Sequence, residues 1–244
     1  MKALSAPAIR HAGWLSLATS TGAALLALAI ALPIGYLLAR KDFKGKALLD
    51  AALDIPIVLP PMVVGLCLLI FFQTTLGRVI EHGVEKGQLI SVFGWFEFAS
   101  PLKLPGFMVF TYTVAGVVLA QFTVAAAFAI RTMRGTFDHL PARPEDVALT
   151  LGCTPGQAFR RVALPAARRG MVAAFCISWA RSLGEFGPIL VFAGATRMRT
   201  EVLPTTVWLE LSVGNLEAAV AVSLLMILIA VAVLVIVRIT GERV

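Results

Sequence analysis

The sequence predicts an all-α integral membrane protein with about five transmembrane helices and a short cytoplasmic helix between two of them. Its 244 residues are 59% hydrophobic and only 14% charged, and the mean hydropathy is +0.88. A soluble domain carries about 45–50% apolar and about 25% charged residues, and one core cannot conceal this much apolar surface. Several stretches also reach the roughly 20 apolar residues a membrane span needs. A soluble enzyme, a disordered linker and a disulfide scaffold are set aside. Cys67, Cys153 and Cys176 show no C-x-x-C spacing, so neither zinc nor a disulfide framework is indicated.

The spans follow in order. Residues 12–39, 55–77, 104–130 and 218–237 contain no Asp, Glu, Lys or Arg, and 170–195 carries only Arg181 and Glu185. The first run exceeds a signal-peptide core of about 7–15 residues, and its stronger basic cluster follows it, so it reads as a retained span. No linker or repeat divides residues 1–244, which read as one transmembrane domain.

Basic residues orient the spans. Arg40, Lys41, Lys44 and Lys46, the seven arginines of 131–169, and Arg238 and Arg243 fall on one side. That side holds thirteen of twenty-one Lys/Arg and is read as cytoplasmic, with the N-terminus outside and the C-terminus inside. The net charge of +7 is therefore assigned to the membrane interface, with no nucleic-acid partner. The outer loop 78–103, with Phe93, Trp95, Phe96 and Phe98, reads as an amphipathic surface segment or a docking surface for an external partner.

The loop 131–169 contains a short helix from Pro144 to Leu151, with Pro144 in its first turn and Glu145 and Asp146 where the dipole favours carboxylates. Gly152 suits its stop. A second helical piece over 156–162 follows Thr154-Pro155, and Pro165 is expected to separate it from the next span.

These residues resemble the cytoplasmic loop of binding-protein-dependent ABC importer permeases, which reads E-A-A, three residues, Gly, nine residues, I-x-L-P. Here Asp146-Val147-Ala148, Gly152 and Val162-Ala163-Leu164-Pro165 keep every spacing. Asp146 stands for Glu, and Glu145 beside it is a second candidate for that role. The segments ARKDFKGKALLDAALDIPIVLPPMVVG (39–65) and SWARSLGEFGPILVFAG (178–194) are similar to the molybdate/tungstate branch, with sulfate permeases close by.

The resemblance implies an ABC type I importer permease fold and a homodimer with its pathway on the two-fold axis. It also implies two cytoplasmic ABC ATPase subunits, which hold the ATP and magnesium, and an extracytoplasmic oxyanion-binding protein. Glu145, Asp146, Ala148, Gly152, Leu164 and Pro165 are then the ATPase-coupling residues. The cargo is a tetrahedral oxyanion, molybdate or tungstate, with sulfate or thiosulfate the alternative within the family.

The chain itself shows no ATPase machinery. Gly45-Lys46 lacks the upstream glycine of G-x-x-x-x-G-K-[ST] and is followed by Ala47. His11, His82 and His139 are scattered, and HExxH is absent, so no catalytic, cofactor or metal site is indicated. A gradient-driven anion carrier is the alternative of another class.

Arg181 and Glu185 are four apart, so a continuous helix would place them on one face. Such a pair either neutralises itself between helices or lines a pathway. Gly184, Gly187 and Pro188 permit distortion around it, and irregular backbone at membrane depth is tolerated only against protein or a watery cavity. Arg181, Ser182, Gly184, Glu185 and Gly187 are therefore expected along the translocation pathway. The family resemblance implies that Pro60 and Pro61 bend the second span into a pore-facing wall; a kink that serves only packing is the alternative.

Overall fold

The computed structural model describes residues 7–84, 89–92, 96–99, 104–105 and 108–242. The five apolar stretches map onto three long helices and two interrupted ones. The long helices α1 (Pro7–Arg40), α5 (Val114–His139) and α11 (Leu216–Glu242) are long and apolar enough to cross a membrane. With 34 residues, α1 is about 51 Å long. That exceeds a hydrocarbon core of about 30 Å, so an end of α1 stands clear of it.

The second stretch is interrupted rather than continuous. Helix α2 (Lys46–Val58) stops before Pro60, and α3 (Pro61–Gln73) restarts with proline in its first turn, where a missing N–H is harmless. Helix α4 (Thr75–His82) follows, with Thr74 accepting a hydrogen bond from Gly77 N.

Among the described residues, the segment 83–105 contains two short antiparallel ladders. β1 (Gly83–Val84) pairs with β4 (Leu104–Pro105), and β2 (Leu89–Val92) pairs with β3 (Phe96–Ala99) in the register Leu89↔Ala99. The sequence expects the third span to start at residue 104. Instead Leu104 and Pro105 are in β4 and α5 begins ten residues later, where Thr113 accepts from Gly116 N. Phe93 and Trp95 lie outside the described residues.

Beyond α5 come α6 (Arg143–Thr150), α7 (Pro155–Ala158), a π-helical turn over Phe159–Ala163, α8 (Leu164–Ala166) and α9 (Arg168–Leu183). A second π-helical turn spans Ile189–Ala193, and α10 (Leu203–Ser212) precedes α11. Pro165 does not separate the loop from the next span as expected. The Leu164 N–H reaches the Phe159 carbonyl, five residues back, and this widened turn accommodates a proline that has no N–H to offer. Only a turn at Ala167 precedes α9.

The chain packs into two compact units, neither continuous in sequence. The first takes in residues 1–19, 59–121 and 183–225, and Phe72, Val117, Ile189, Phe192 and Val202 form its core. Its Glu81 carboxylate accepts from Phe110 N (2.8 Å), Thr111 N (2.7 Å) and Thr111 Oγ1 (2.9 Å), pinning the segment that leads into α5.

The second unit takes in residues 20–58, 122–182 and 226–244. Small side chains let its helices approach: Ala27, Ala31, Ala125, Ala129, Ala167 and Ala174 are all buried around Leu38, Met133 and Phe137. Trp179 Nε1 donates to Thr21 Oγ1 (3.0 Å), and Ser178 Oγ donates to the Ala125 carbonyl (3.3 Å). Two ion pairs, Asp50 with Arg134 and Asp54 with Arg131, fasten α2 to α5.

Candidate functional site

The loop helix α6 has two faces. Glu145 and Ala148 are buried, while Asp146, Val147, Leu149 and Leu151 are exposed. Val147, Leu149 and Leu151 are apolar side chains left exposed, which suits contact with another protein.

Glu145 fastens the inner face. Its Oε1 accepts from Arg40 Nε (3.2 Å) and from an Arg40 terminal nitrogen (2.8 Å), and its Oε2 accepts from the Tyr36 hydroxyl (2.7 Å). The same Arg40 nitrogen donates to the Leu140 carbonyl at 3.0 Å. Beneath them the Tyr36 ring meets Phe137 edge-on at 5.4 Å and Phe159 at 4.7 Å. The two neighbouring acids therefore differ. Glu145 is bound inward, and Asp146, at the motif position, faces out.

The helix ends as the glycine predicts. Gly152 has φ of +88°, Gly152 N donates to the Leu149 carbonyl (3.0 Å) and Cys153 N to the Ala148 carbonyl (3.0 Å). This double closure needs a left-handed residue, which glycine supplies without strain. Thr154 then caps α7 reciprocally: its Oγ1 accepts from Gln157 N (3.3 Å) while its own N–H donates to Gln157 Oε1 (2.9 Å). Leu164 is half-buried and Pro165 exposed.

The pathway candidates divide. Gly187 meets the backbone of Pro61 and Met62, since a Cβ on Gly187 would stand 2.9 Å from Met62 N. Pro60, Pro61, Gly184, Glu185 and Gly187 fall in the first unit, Arg181 and Ser182 in the second. Glu185 and Ser182 are buried, and Pro60, Pro61 and Gly184 are exposed.

The expectation of one helical face for Arg181 and Glu185 is corrected. Helix α9 ends at Leu183, so Glu185 lies beyond it. Pro188 supplies the reason: in a continued helix its ring would strike the Gly184 carbonyl four residues back. The Arg181 guanidinium carbon stands 5.9 Å from the Phe128 ring centroid, within cation–π reach.

Sequence reasoning missed Tyr36 and Arg40 as partners of the loop. Their i, i+4 spacing at the end of the first span was the available signal, since it places a hydroxyl and a guanidinium on one face.

Comparison with known proteins identifies the family. The family model described as "Binding-protein-dependent transport system inner membrane component" matches residues 31–244. The sulfate transport system permease protein CysT of Salmonella typhimurium is 32% identical over 190 residues, 78% of this chain and 61% of that protein. The molybdate/tungstate transport system permease protein WtpB of Pyrococcus abyssi is 32% identical over 193 residues, 79% of this chain and 64% of that protein. The matched region thus spans less than two thirds of either relative. A bacterial ABC transporter that imports the acidic polysaccharide alginate shares the fold, with TM-score 0.72 at 15% identity, covering 100% of this chain and 82% of that one. The loop motif, its glycine-closed helix and the match over residues 31–244 make this chain a member of the binding-protein-dependent transport system inner membrane component family.

Proposed function

We propose that this chain is the transmembrane subunit of an ATP-driven importer of a tetrahedral oxyanion, molybdate or tungstate. The observation that carries the reading is the loop helix α6: motif spacing, a glycine closure, and exposed Val147 and Leu149, with exposed Leu151 at its end, beside Asp146. A short, glycine-closed helix with exposed apolar side chains among its charged ones is suited to seat in a groove of a cytoplasmic ABC ATPase. ATP and magnesium belong to that partner.

Two copies of the single permease domain form the pathway about a two-fold axis. Closing of the ATPases draws the paired loops together and opens the dimer outward; hydrolysis resets it. A binding protein delivers the oxyanion to the outer face. The N-terminus lies outside and the C-terminus in the cytoplasm, as the basic residues indicate. Molybdate/tungstate selection is supported by the segments 39–65 and 178–194 and by the name of the WtpB relative; the CysT relative supports sulfate as the second reading.

The test is reconstitution in proteoliposomes with its ATPase and binding protein. ATP hydrolysis should rise with binding protein loaded with molybdate or tungstate and stay basal with sulfate. A response to sulfate alone transfers the assignment to the second reading. Oxyanion flux without any ATPase overturns the ABC reading.

A further inference from the structure

We propose that Arg40 and Tyr36 are positioning residues that make the loop helix move with the first span, so that docking of the ATPase is converted into motion of the membrane domain. The inference rests on the importer reading above and assigns a residue set that the loop motif does not contain.

Little else holds α6. It is an eight-residue helix, and only Glu145 and Ala148 of it are buried. An isolated helix this short is not stable in water, so its orientation depends on tertiary contacts. Ala148 offers one methyl group. Glu145 offers a carboxylate with both oxygens engaged, and its side chain is only 9% exposed.

The partners lie at the C-terminal end of α1, Tyr36 one turn before Arg40. Arg40 is itself largely enclosed, at 16% exposure, so water screens the pair weakly. Its guanidinium reaches the Leu140 carbonyl, just past α5, as well as the first turn of α6. One planar side chain thus joins three elements, a task for which arginine's fixed fork of donors suits it and lysine's single ammonium does not. The Tyr36 ring, against Phe137 of α5 and Phe159 of the π-helical turn, adds the other half of the loop to the same node.

A rigid node matters because transmission requires it. If α6 turned freely about residues 140–142, the ATPase would still find its exposed side chains. The force of closure would then be lost in swinging the helix. Loss of the node should therefore leave assembly and hydrolysis in place and remove their connection to transport.

The experiment measures molybdate imported per ATP hydrolysed by the complete complex in proteoliposomes, for the unmodified chain and for Arg40→Ala, Tyr36→Phe, Arg40→Lys and the double variant Arg40→Met/Glu145→Leu. Arg40→Ala should lower the ratio about tenfold or more, the scale of stripping charged hydrogen bonds from a buried carboxylate. Tyr36→Phe should lower it less and Arg40→Lys in between. The double variant, which replaces the polar tie by apolar packing, should recover much of the ratio. Where Arg40→Ala fails to accumulate, Tyr36→Phe, lacking one hydroxyl, gives the reading. Unchanged ratios in Arg40→Ala and Tyr36→Phe overturn the inference while leaving the importer reading intact. Absence of ATP-dependent uptake by the unmodified complex overturns the importer reading itself.

Discussion

Gly65 and Pro188 meet backbone to backbone: a Cβ built on Gly65 would stand 2.6 Å from Pro188 Cα and 3.0 Å from its carbonyl oxygen. The first two turns of α3 therefore pack directly on the segment that follows the break after Leu183. Gly65→Ala should separate them at a cost of about 1–3 kcal/mol, the range for overpacking a close contact. Thermal melting in detergent should fall accordingly, and uptake with it. Gly22→Ala is the control, since nothing lies within 4 Å of its Cβ position and alanine favours a helix. Equal melting of the Gly65 variant and the unmodified chain would refute the close contact.

Gly152 provides a test that separates backbone from charge. At φ of +88°, alanine is strained by roughly 1–2 kcal/mol, whereas asparagine tolerates the left-handed region. Gly152→Asn should retain more ATPase co-purification than Gly152→Ala. Gly152→Asp adds a charge beside the exposed apolar side chains and should abolish uptake by preventing docking. Normal co-purification with Gly152→Asp counts against the docking assignment.

Glu81 predicts a loss of stability in acid. Burial pushes its carboxyl upward, but the hydrogen bonds from Phe110 and Thr111 outweigh burial and hold it below the ordinary carboxylate value. A depressed acid stabilises the fold above its unfolded-state value, and that contribution disappears as pH falls through the lower, folded-state value. His82 Nδ1, 4.0 Å from Glu81 Oε2, favours the ionised form further once protonated. Melting between neutral and strongly acidic pH should fall more steeply for the unmodified chain than for Glu81→Gln. Parallel curves would show that the clamp does not titrate.

Arg181 distinguishes pathway from packing. Arg181→Ala removes both the charge and the contact with Phe128, whereas Arg181→Lys keeps a cation without the planar stacking surface. If the cation attracts the oxyanion, Arg181→Ala should raise the half-saturating concentration about tenfold, as expected of a charged hydrogen bond, and Arg181→Lys should restore much of it. Normal uptake by Arg181→Ala at normal membrane levels removes the residue from the pathway.

Much of the fold was legible because lipid imposes a coarse, local rule. Runs such as 12–39 and 218–237 declare themselves by composition, since a spanning helix must be apolar along its length. Gly152 was legible for a similar reason, because a left-handed helix closure selects glycine within a few residues of sequence. The π-helical turn ahead of Pro165 was not, because hydrogen-bond slippage by one residue leaves no mark on the apolar pattern. Neither was the end of α9 at Leu183. Pattern alone favoured continuity from 170 to 195, and Pro188 acts on a carbonyl four residues earlier.

By itself, the sequence determined the membrane class, the motif-bearing loop, the glycine that closes its helix, and the family. The tertiary structure decided which of two adjacent acids faces inward. Glu145 and Asp146 are chemically near-equivalent in sequence, but the helix turns about 100° per residue, so only one can point at Arg40 and Tyr36. Those partners lie more than a hundred residues away in the chain. A hydrogen bond requires proximity in space, and no local pattern records that.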